Sequence, residues 1–330
     1  MKLDMPFILN PDKLIDVAFR KASKEASSLS IKKVSKLVRI RKKEEKKIKS
    51  VSSTIKKHLN KVISRTPKVD ELPPFYRELI NVVVGIDRFK KSLGAIKWAV
   101  SKIRYLERYY SYKVRTSREE KEVYRYRREF YGRVSSILRQ IEDEILFLKE
   151  ARRKISKFPD IKDLPTIVIA GAPNVGKSTL LRALTGAKPK IESYPFTTKR
   201  ILLGYFEHNH RKYQVVDTPG LLDRAIEKRN PAERQAILAL RYLAQIIIFL
   251  FDITEICGYP IDYQLRIFNE VSSLFNVEVL PIVNKADITE KKKIEEFRIK
   301  FGRNFLTCSA LQREGIEDIK REILKKMGEL

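Results

Sequence analysis

The 330-residue chain holds 69 Lys and Arg against 41 Asp and Glu, a formal charge of +28, and 43% of its residues are hydrophobic. Its length accommodates two domains of ordinary size, and no apolar run approaches the ~18 residues of a membrane span. Cys257 and Cys308 exclude a disulfide framework, and neither they nor the three histidines show metal-ligand spacing. Both cysteines read as small core residues.

The charge is uneven. Residues 1–164 carry 43 Lys and Arg against 21 acidic residues, whereas residues 165–330 carry 26 against 20. A fold does not need such an excess, and self-repulsion makes it costly, so a polyanionic partner is the simplest compensation. The first residues lack a signal-peptide pattern, and a soluble cytoplasmic protein is the expectation.

From residue 12 to about 155 the pattern is helical, cut at one place by Pro67, Pro73 and Pro74. Helices are expected near 12–28, 30–64, 75–92 and 94–114, with a long one over 117–154. Val123, Tyr126, Phe130, Val134, Ile137, Ile141, Ile145 and Leu148 step by three or four along that last helix, forming one face that other helices must cover. Thr116-Ser117 followed by Glu119 and Glu120 supplies its start. An antiparallel bundle follows.

Residues 32–61 contain thirteen Lys or Arg and two acidic residues, Glu44 and Glu45. The stretch from Arg41 to Lys47 has no apolar residue, so it is expected to face water or a partner. Contact with RNA phosphates is favoured over a merely solvated face and over an anionic membrane surface. Tyr105, Tyr109, Tyr112, Tyr124, Tyr126, Phe130 and Tyr131 lie among the arginines. Their three- and four-residue spacing favours bundle core over base stacking, with Tyr110 and Tyr124 as exposed exceptions.

After Phe158-Pro159-Asp160 through Leu164-Pro165, short β-branched runs alternate with amphipathic helices. Strands are expected at 166–170, 201–207, 212–217, 246–252, 277–283 and 304–308, with a hairpin at His208-Asn209-His210. Helices are expected near 177–186, 231–244, 261–275, 290–300 and 315–327. This is a doubly wound α/β order with one antiparallel strand in a six-stranded sheet. The expected domains are 1–160, a basic bundle, and 161–330.

Four segments of the second domain carry chemistry. Gly171-Ala172-Pro173-Asn174-Val175-Gly176-Lys177-Ser178 fits the G-x-x-x-x-G-K-S phosphate loop between a strand and a helix. Its glycines let backbone N–H groups turn inward around a phosphate, and the helix N-terminus adds positive potential. Lys177 is placed to reach the β- and γ-phosphates and Ser178 to ligate Mg²⁺. Asp217-Thr218-Pro219-Gly220 ends a strand, where the carboxylate can hold a magnesium-bound water and the Gly220 N–H can touch the γ-phosphate. Between these segments, Tyr194-Pro195-Phe196-Thr197-Thr198 is expected to be the first switch, with Thr198 favoured over Thr197 for the Mg²⁺ shell. Asn284-Lys285-Ala286-Asp287 presents a carboxylate that accepts guanine N1–H and N2–H. The stem of Lys285 is expected to cover the base, while Asn284 touches its edge and tethers the phosphate loop. Ser309-Ala310-Leu311 adds a backbone N–H toward guanine O6.

The ordered set specifies a GTPase for GTP and GDP. Its expected nucleotide contacts are Gly171, Asn174, Val175, Gly176, Lys177, Ser178, Thr179, Asn284, Lys285, Asp287, Ser309, Ala310 and Leu311. The expected Mg²⁺ set is Ser178, Thr198 and Asp217. Catalysis is assigned to Lys177, Thr198, Gly220 and Asn174. Leu221 stands where many GTPases place a water-orienting glutamine, so slow turnover without a partner is expected. Asn174 is a candidate K⁺ ligand; the alternative is an asparagine that only stabilises the loop.

Tyr194-Pro195-Phe196-Thr197-Thr198, the Asn-bearing phosphate loop and Leu221 resemble the Obg-like branch of translation-factor-related GTPases. Pro74 to Leu79, Phe89 to Gly94, Tyr194 to Lys199, Asp217 to Asn230 and Gln235-Ala236-Ile237 bring the resemblance closest to the Nog family. It covers most of the chain, including the bundle, which other Obg-like proteins lack. The resemblance implies a helical bundle followed by a Ras-like P-loop domain and a role in assembly of the large ribosomal subunit. The bundle would lie on ribosomal RNA, and the protein would be a monomer off the ribosome. Functions that longer members place beyond the GTPase domain are not carried over.

Overall fold

The computed structural model describes residues 3–31, 34–186, 188–195, 200–223 and 231–329. Two compact units form, one from Leu3–Glu71 with Val84–Ser156, the other from Leu72–Val83 with the chain from Lys157 onward. The chain is therefore not divided by a single cut at residue 160. Among the described residues no helix is long and apolar enough to cross a membrane.

The helical unit contains α1 (Pro11–Ser27), α2 (Lys36–Arg65), α4 (Ile86–Thr116), α5 (Glu120–Gln140) and α6 (Glu142–Ile155), while α3 (Pro74–Val83) belongs to the second unit. Each bundle helix buries one face. On α1 it is Leu14, Ala18, Ala22 and Ala26, on α2 Ile48, Val51, Ile55, Leu59 and Val62, and on α5 Val123, Phe130, Val134 and Leu138. The four-residue ladder of small side chains on α1 lets that helix approach α2 closely.

Two expectations change here. The long helix over 117–154 breaks at Ile141, whose backbone sits at φ −103°, ψ 18°. Glu142-Asp143-Glu144 then forms the first turn of α6, where acidic groups oppose the positive helix end. The charges mark a helix start. The break expected near Gly94 falls instead at Gly85, whose φ of 85° favours glycine, and α4 runs through Gly94.

The Arg41–Lys47 stretch does not simply face water. Glu44 is buried and bridges Lys47 Nζ at 2.6 Å and Arg127 Nε at 3.0 Å, while Arg41 donates to the Ser117 carbonyl. Its partners let the charge enter the bundle, as burial of a carboxylate demands.

Among the described residues the second unit holds a seven-stranded sheet in the order β2-β3-β4-β1-β5-β6-β7. The strands are β1 (Thr166–Ala170), β2 (Lys190–Ser193), β3 (Arg200–His208), β4 (Arg211–Asp217), β5 (Ile246–Phe251), β6 (Glu278–Val283) and β7 (Leu306–Thr307). Only β3 runs against the others, pairing antiparallel with β2 and β4. The seventh strand, β2, was not expected because its Lys-Ile-Glu-Ser sequence is polar and leaves three of four residues exposed. The β3–β4 turn has Asn209 and His210 at positive φ, the twist-matched hairpin geometry. Besides α3, the α-helices of this unit among the described residues are α7 (Lys177–Thr185), α8 (Pro231–Ala239), α9 (Ile261–Leu274), α10 (Lys291–Phe301) and α11 (Ile316–Lys326).

Helix α3 packs against α8. The Phe75 ring lies 6.5 Å from that of Tyr194, whose hydroxyl donates to the Ala236 carbonyl of α8 at 2.6 Å. The Tyr76 hydroxyl meets the carbonyls of Pro159 at 2.8 Å and Ile161 at 3.1 Å, and accepts the Ile161 N–H at 2.9 Å. Burial pushes the phenols of Tyr76 and Tyr194 well above their ordinary pKa, so both remain neutral hydrogen-bonding groups.

Candidate nucleotide site

The motif loops gather at the carboxyl ends of the parallel strands, where an open α/β sheet places its ligands. All five residues of β1 are buried, which fixes the start of the loop from Gly171 to Gly176. Gly171 has φ 140°, and a Cβ there would stand 2.5 Å from the Leu250 carbonyl oxygen. Gly176 has φ 100°, and a Cβ would stand 2.3 Å from Asn284 Nδ2. Asn174 is exposed and left-handed at φ 62°. Lys177 is buried beneath the loop and donates to the carbonyls of Gly171 at 2.8 Å and Ala172 at 2.7 Å.

Ser178, in the first turn of α7, donates its hydroxyl to Asp217 Oδ2 at 2.5 Å. Asp217 is fully buried, and its Oδ1 has no hydrogen-bond partner among the described residues. Burial pushes its carboxyl up, against the bond from Ser178 and the charge of Lys177. Two adjacent oxygen donors, one with an unused lone pair, suit Mg²⁺, which takes one or two protein oxygens and completes its shell with water and phosphate. Thr197 and Thr198 lie outside the described residues.

Gly220 is left-handed at φ 78°, and its N–H donates to Asp223 Oδ2 at 2.7 Å. A carboxylate thus occupies the donor expected to meet a γ-phosphate. Leu221 is buried at 3% exposure, so it presents an apolar side chain with no hydrogen-bonding capacity.

Asn284 joins the base and phosphate loops. Its Nδ2 donates to the Val175 carbonyl at 2.9 Å, and its Oδ1 accepts the Ala310 N–H at 2.9 Å and the Cys308 thiol at 3.5 Å. The tether to the phosphate loop is as expected, while the Ala310 N–H already bonds within the protein. Asp287 is exposed in the turn that follows. Ser309 is buried, its Oγ accepting the Gln312 N–H at 3.1 Å, whereas Leu311 is 76% exposed and stands apart from the packed set. Both cysteines are free and buried, and burial pushes the Cys308 thiol up to about 12.

Two acidic residues were not singled out in the sequence. Asp223 holds Gly220. Asp252, at the end of β5, is fully buried and accepts from Lys285 Nζ at 2.6 Å, Thr254 Oγ1 at 2.5 Å, Thr254 N at 3.0 Å and Cys257 N at 2.9 Å. Burial opposes its charge, but the bonds from Lys285 and Thr254 outweigh this and hold the carboxyl below its ordinary value. The pair fixes the Lys285 head, at a residue whose own φ is 62°, and so orients its stem. The available signal was an aspartate directly after the all-apolar strand β5.

A sheet of this order, with a phosphate loop on α7 and an Asn-Lys-x-Asp turn tied to it by one side chain, defines the protein as a P-loop GTPase. Residues 3–162 match the family model described as NOG1 N-terminal helical domain, and residues 166–285 match the one described as 50S ribosome-binding GTPase. The chain belongs to the Nog family of GTP-binding proteins. An uncharacterized protein of Methanocaldococcus jannaschii is 47% identical over 291 residues, covering 88% of this chain and 82% of that one. Nucleolar GTP-binding protein 1 of Encephalitozoon cuniculi is 30% identical over 96% of this chain and 60% of its own length. For the Saccharomyces cerevisiae protein of that name the figures are 27%, 98% and 52%. The chain spans about half the length of these nucleolar relatives.

Proposed function

We propose that this GTPase is an assembly factor for the large ribosomal subunit, its nucleotide state setting its affinity for ribosomal RNA and pre-ribosomal particles. The observation that carries this reading is the charge of the bundle, whose unit holds most of the chain's +28 and presents a surface suited to RNA phosphates. The names of the relatives and the ribosome-binding description of the matched GTPase model support it.

In this reading the loop N–H groups and Lys177 hold the β- and γ-phosphates, Asp287 accepts the guanine N–H pair, and Lys285, steadied by Asp252, covers the base. Ser178 and Asp217, with Thr198, would hold Mg²⁺, which would supply positive charge against the phosphate oxygens. The Gly220 N–H exchanges the Asp223 carboxylate for a γ-phosphate oxygen, so the segment after β4 responds to the nucleotide. Asn174 would hold K⁺, and the ion would add the charge an arginine finger gives elsewhere. The protein acts in the cytoplasm as a monomer off the ribosome.

Single-turnover GTP hydrolysis with and without large-subunit precursor particles, in K⁺ and in Na⁺, tests this. Stimulation by particles is expected, with K⁺ exceeding Na⁺. The buried Leu221 favours a second reading, a nucleotide-gated placeholder with negligible hydrolysis. Absence of stimulation by particles and by K⁺ selects it.

A further inference from the structure

Helix α4 carries two opposed faces. Phe89, Ile96, Ile103, Tyr110 and Val114 are buried at 0–2% exposure, so Tyr110 is core, against expectation. Tyr105, Tyr109 and Tyr112 do the reverse: they are 64%, 43% and 58% exposed, and Trp98 is 38% exposed. Their spacing does describe a single helical stripe, but Ile96, Ile103 and Tyr110 had already supplied the inward one. At 3.6 residues per turn Trp98, Tyr105, Tyr109 and Tyr112 fall within an arc of about 60° and run for about 20 Å. The rings of Tyr105 and Tyr109 are parallel to within 16°, with centroids 6.4 Å apart, and Lys113 Nζ lies 5.7 Å over Tyr109.

The helix holds nine Lys and Arg and two acidic residues. Of the two, Asp87 lies in the first turn and Glu107 is engaged by Ser52 and Lys56 of α2. Lys97, Arg104, Arg108 and Arg115 are exposed along one flank of the stripe. From this we infer that the exposed face of α4 binds an unpaired segment of RNA, its bases stacked on Tyr105, Tyr109, Tyr112 and Trp98 and its phosphates along the basic flank. A ladder of π-faces beside cations matches single-stranded nucleic acid. Duplex RNA offers phosphates and 2′-hydroxyls but no free base faces. Tyr, Trp and Arg also suit protein interfaces, so the charge decides: nine cations against two acidic residues on this helix call for a polyanion, although Arg115 already lies 3.8 Å from Glu45. The inference rests on the reading that the bundle binds ribosomal RNA.

The test uses the full chain with two probes of equal length, an unstructured RNA oligonucleotide and a fully paired duplex. Trp98 is the sole tryptophan, so its fluorescence reports stacking beside the tyrosines. The single strand is expected to quench Trp98, and the duplex to leave it unchanged. Replacing Tyr105, Tyr109 and Tyr112 together by Ala should weaken single-strand binding about thirtyfold or more. It should leave duplex affinity, the salt dependence of binding, the unfolding midpoint and GTP turnover unchanged. The corresponding triple Phe variant should bind within about threefold of wild type.

Equal single-strand binding by the Ala and wild-type proteins, or an equal loss for single strand and duplex, overturns the stacking proposal while leaving RNA binding by the bundle intact. Tyr-dependent association with ribosomal protein in the absence of RNA overturns it in favour of a protein partner. Wild-type protein binding neither probe overturns the underlying RNA reading.

Discussion

Asn284 is the residue through which the base loop and the phosphate loop depend on each other. Asn284→Ala removes the acceptor of the Ala310 N–H and the donor to the Val175 carbonyl, both at 2.9 Å and both on buried residues. A buried backbone group deprived of its partner costs about 1–3 kcal/mol, so the two together set a loss of about 2–6 kcal/mol. Urea unfolding followed by circular dichroism, without nucleotide and with saturating GDP, divides that loss between fold and binding. At the lower bound of 2 kcal/mol, a loss falling wholly on binding would weaken GDP about thirtyfold. Unfolding free energy within about 1 kcal/mol of wild type, together with GDP affinity within about threefold, refutes the argument that this side chain couples the loops.

Gly176→Ala would force a Cβ to 2.3 Å from Asn284 Nδ2 at a φ of 100°. Nucleotide affinity should fall at least tenfold, about 1.4 kcal/mol, in a fluorescent-GDP titration, and wild-type affinity would contradict the packing described. Asp252→Asn removes the charge paired with Lys285. Because the folded carboxyl lies below its ordinary 3.8, its contribution is present above about pH 4 and is lost as pH falls through the folded value. Wild type should therefore exceed the variant in stability by a constant margin near neutrality that closes below pH 4, and a margin growing toward low pH would reverse the sign. Asp223→Ala removes the carboxylate that accepts from the Gly220 N–H; the ratio of GTP to GDP affinity should rise about fivefold, corresponding to one hydrogen bond of about 1 kcal/mol, and a fall in that ratio counts against competition for the donor. Tyr76→Phe removes the hydroxyl that meets Pro159 and Ile161 and should lower the free energy of unfolding by about 1–3 kcal/mol in urea; no change would show that the hydroxyl contacts are replaced by water.

The readable parts of the chain were those where local chemistry repeats. Phosphate-loop spacing, strand alternation and the Asn-Lys-x-Asp turn each depend on a few neighbouring residues, and β1, β4 and β6 fall close to where their apolar runs predict. Periodicity was less informative on α4, where Tyr109 and Tyr110 are sequence neighbours with opposite fates. Two stripes of similar spacing compete there, and only the packing of α2 and α5 decides which enters the core. The buried Glu44 was hidden for a related reason, since its partner Arg127 is 83 residues away. Asp223 and Asp252 looked like ordinary loop acids because the groups they hold, backbone N–H donors, the Thr254 hydroxyl and one lysine, form no motif of their own.

Helix α3 gives the order of synthesis a structural meaning. Phe75, Tyr76, Leu79 and Ile80 are buried within the unit completed by residues from Lys157 onward, yet the ribosome makes them before that stretch. At ~5–20 residues per second, roughly 10–30 s separate α3 from the residues of α8 that cover it. During that interval the bundle sequence on both sides of α3 is already available to fold, and α3 is left as an apolar loop awaiting its seat. Protease should cut within residues 72–83 of nascent chains stalled near residue 160 and spare the finished protein. Equal protection of both would show that α3 finds other cover first.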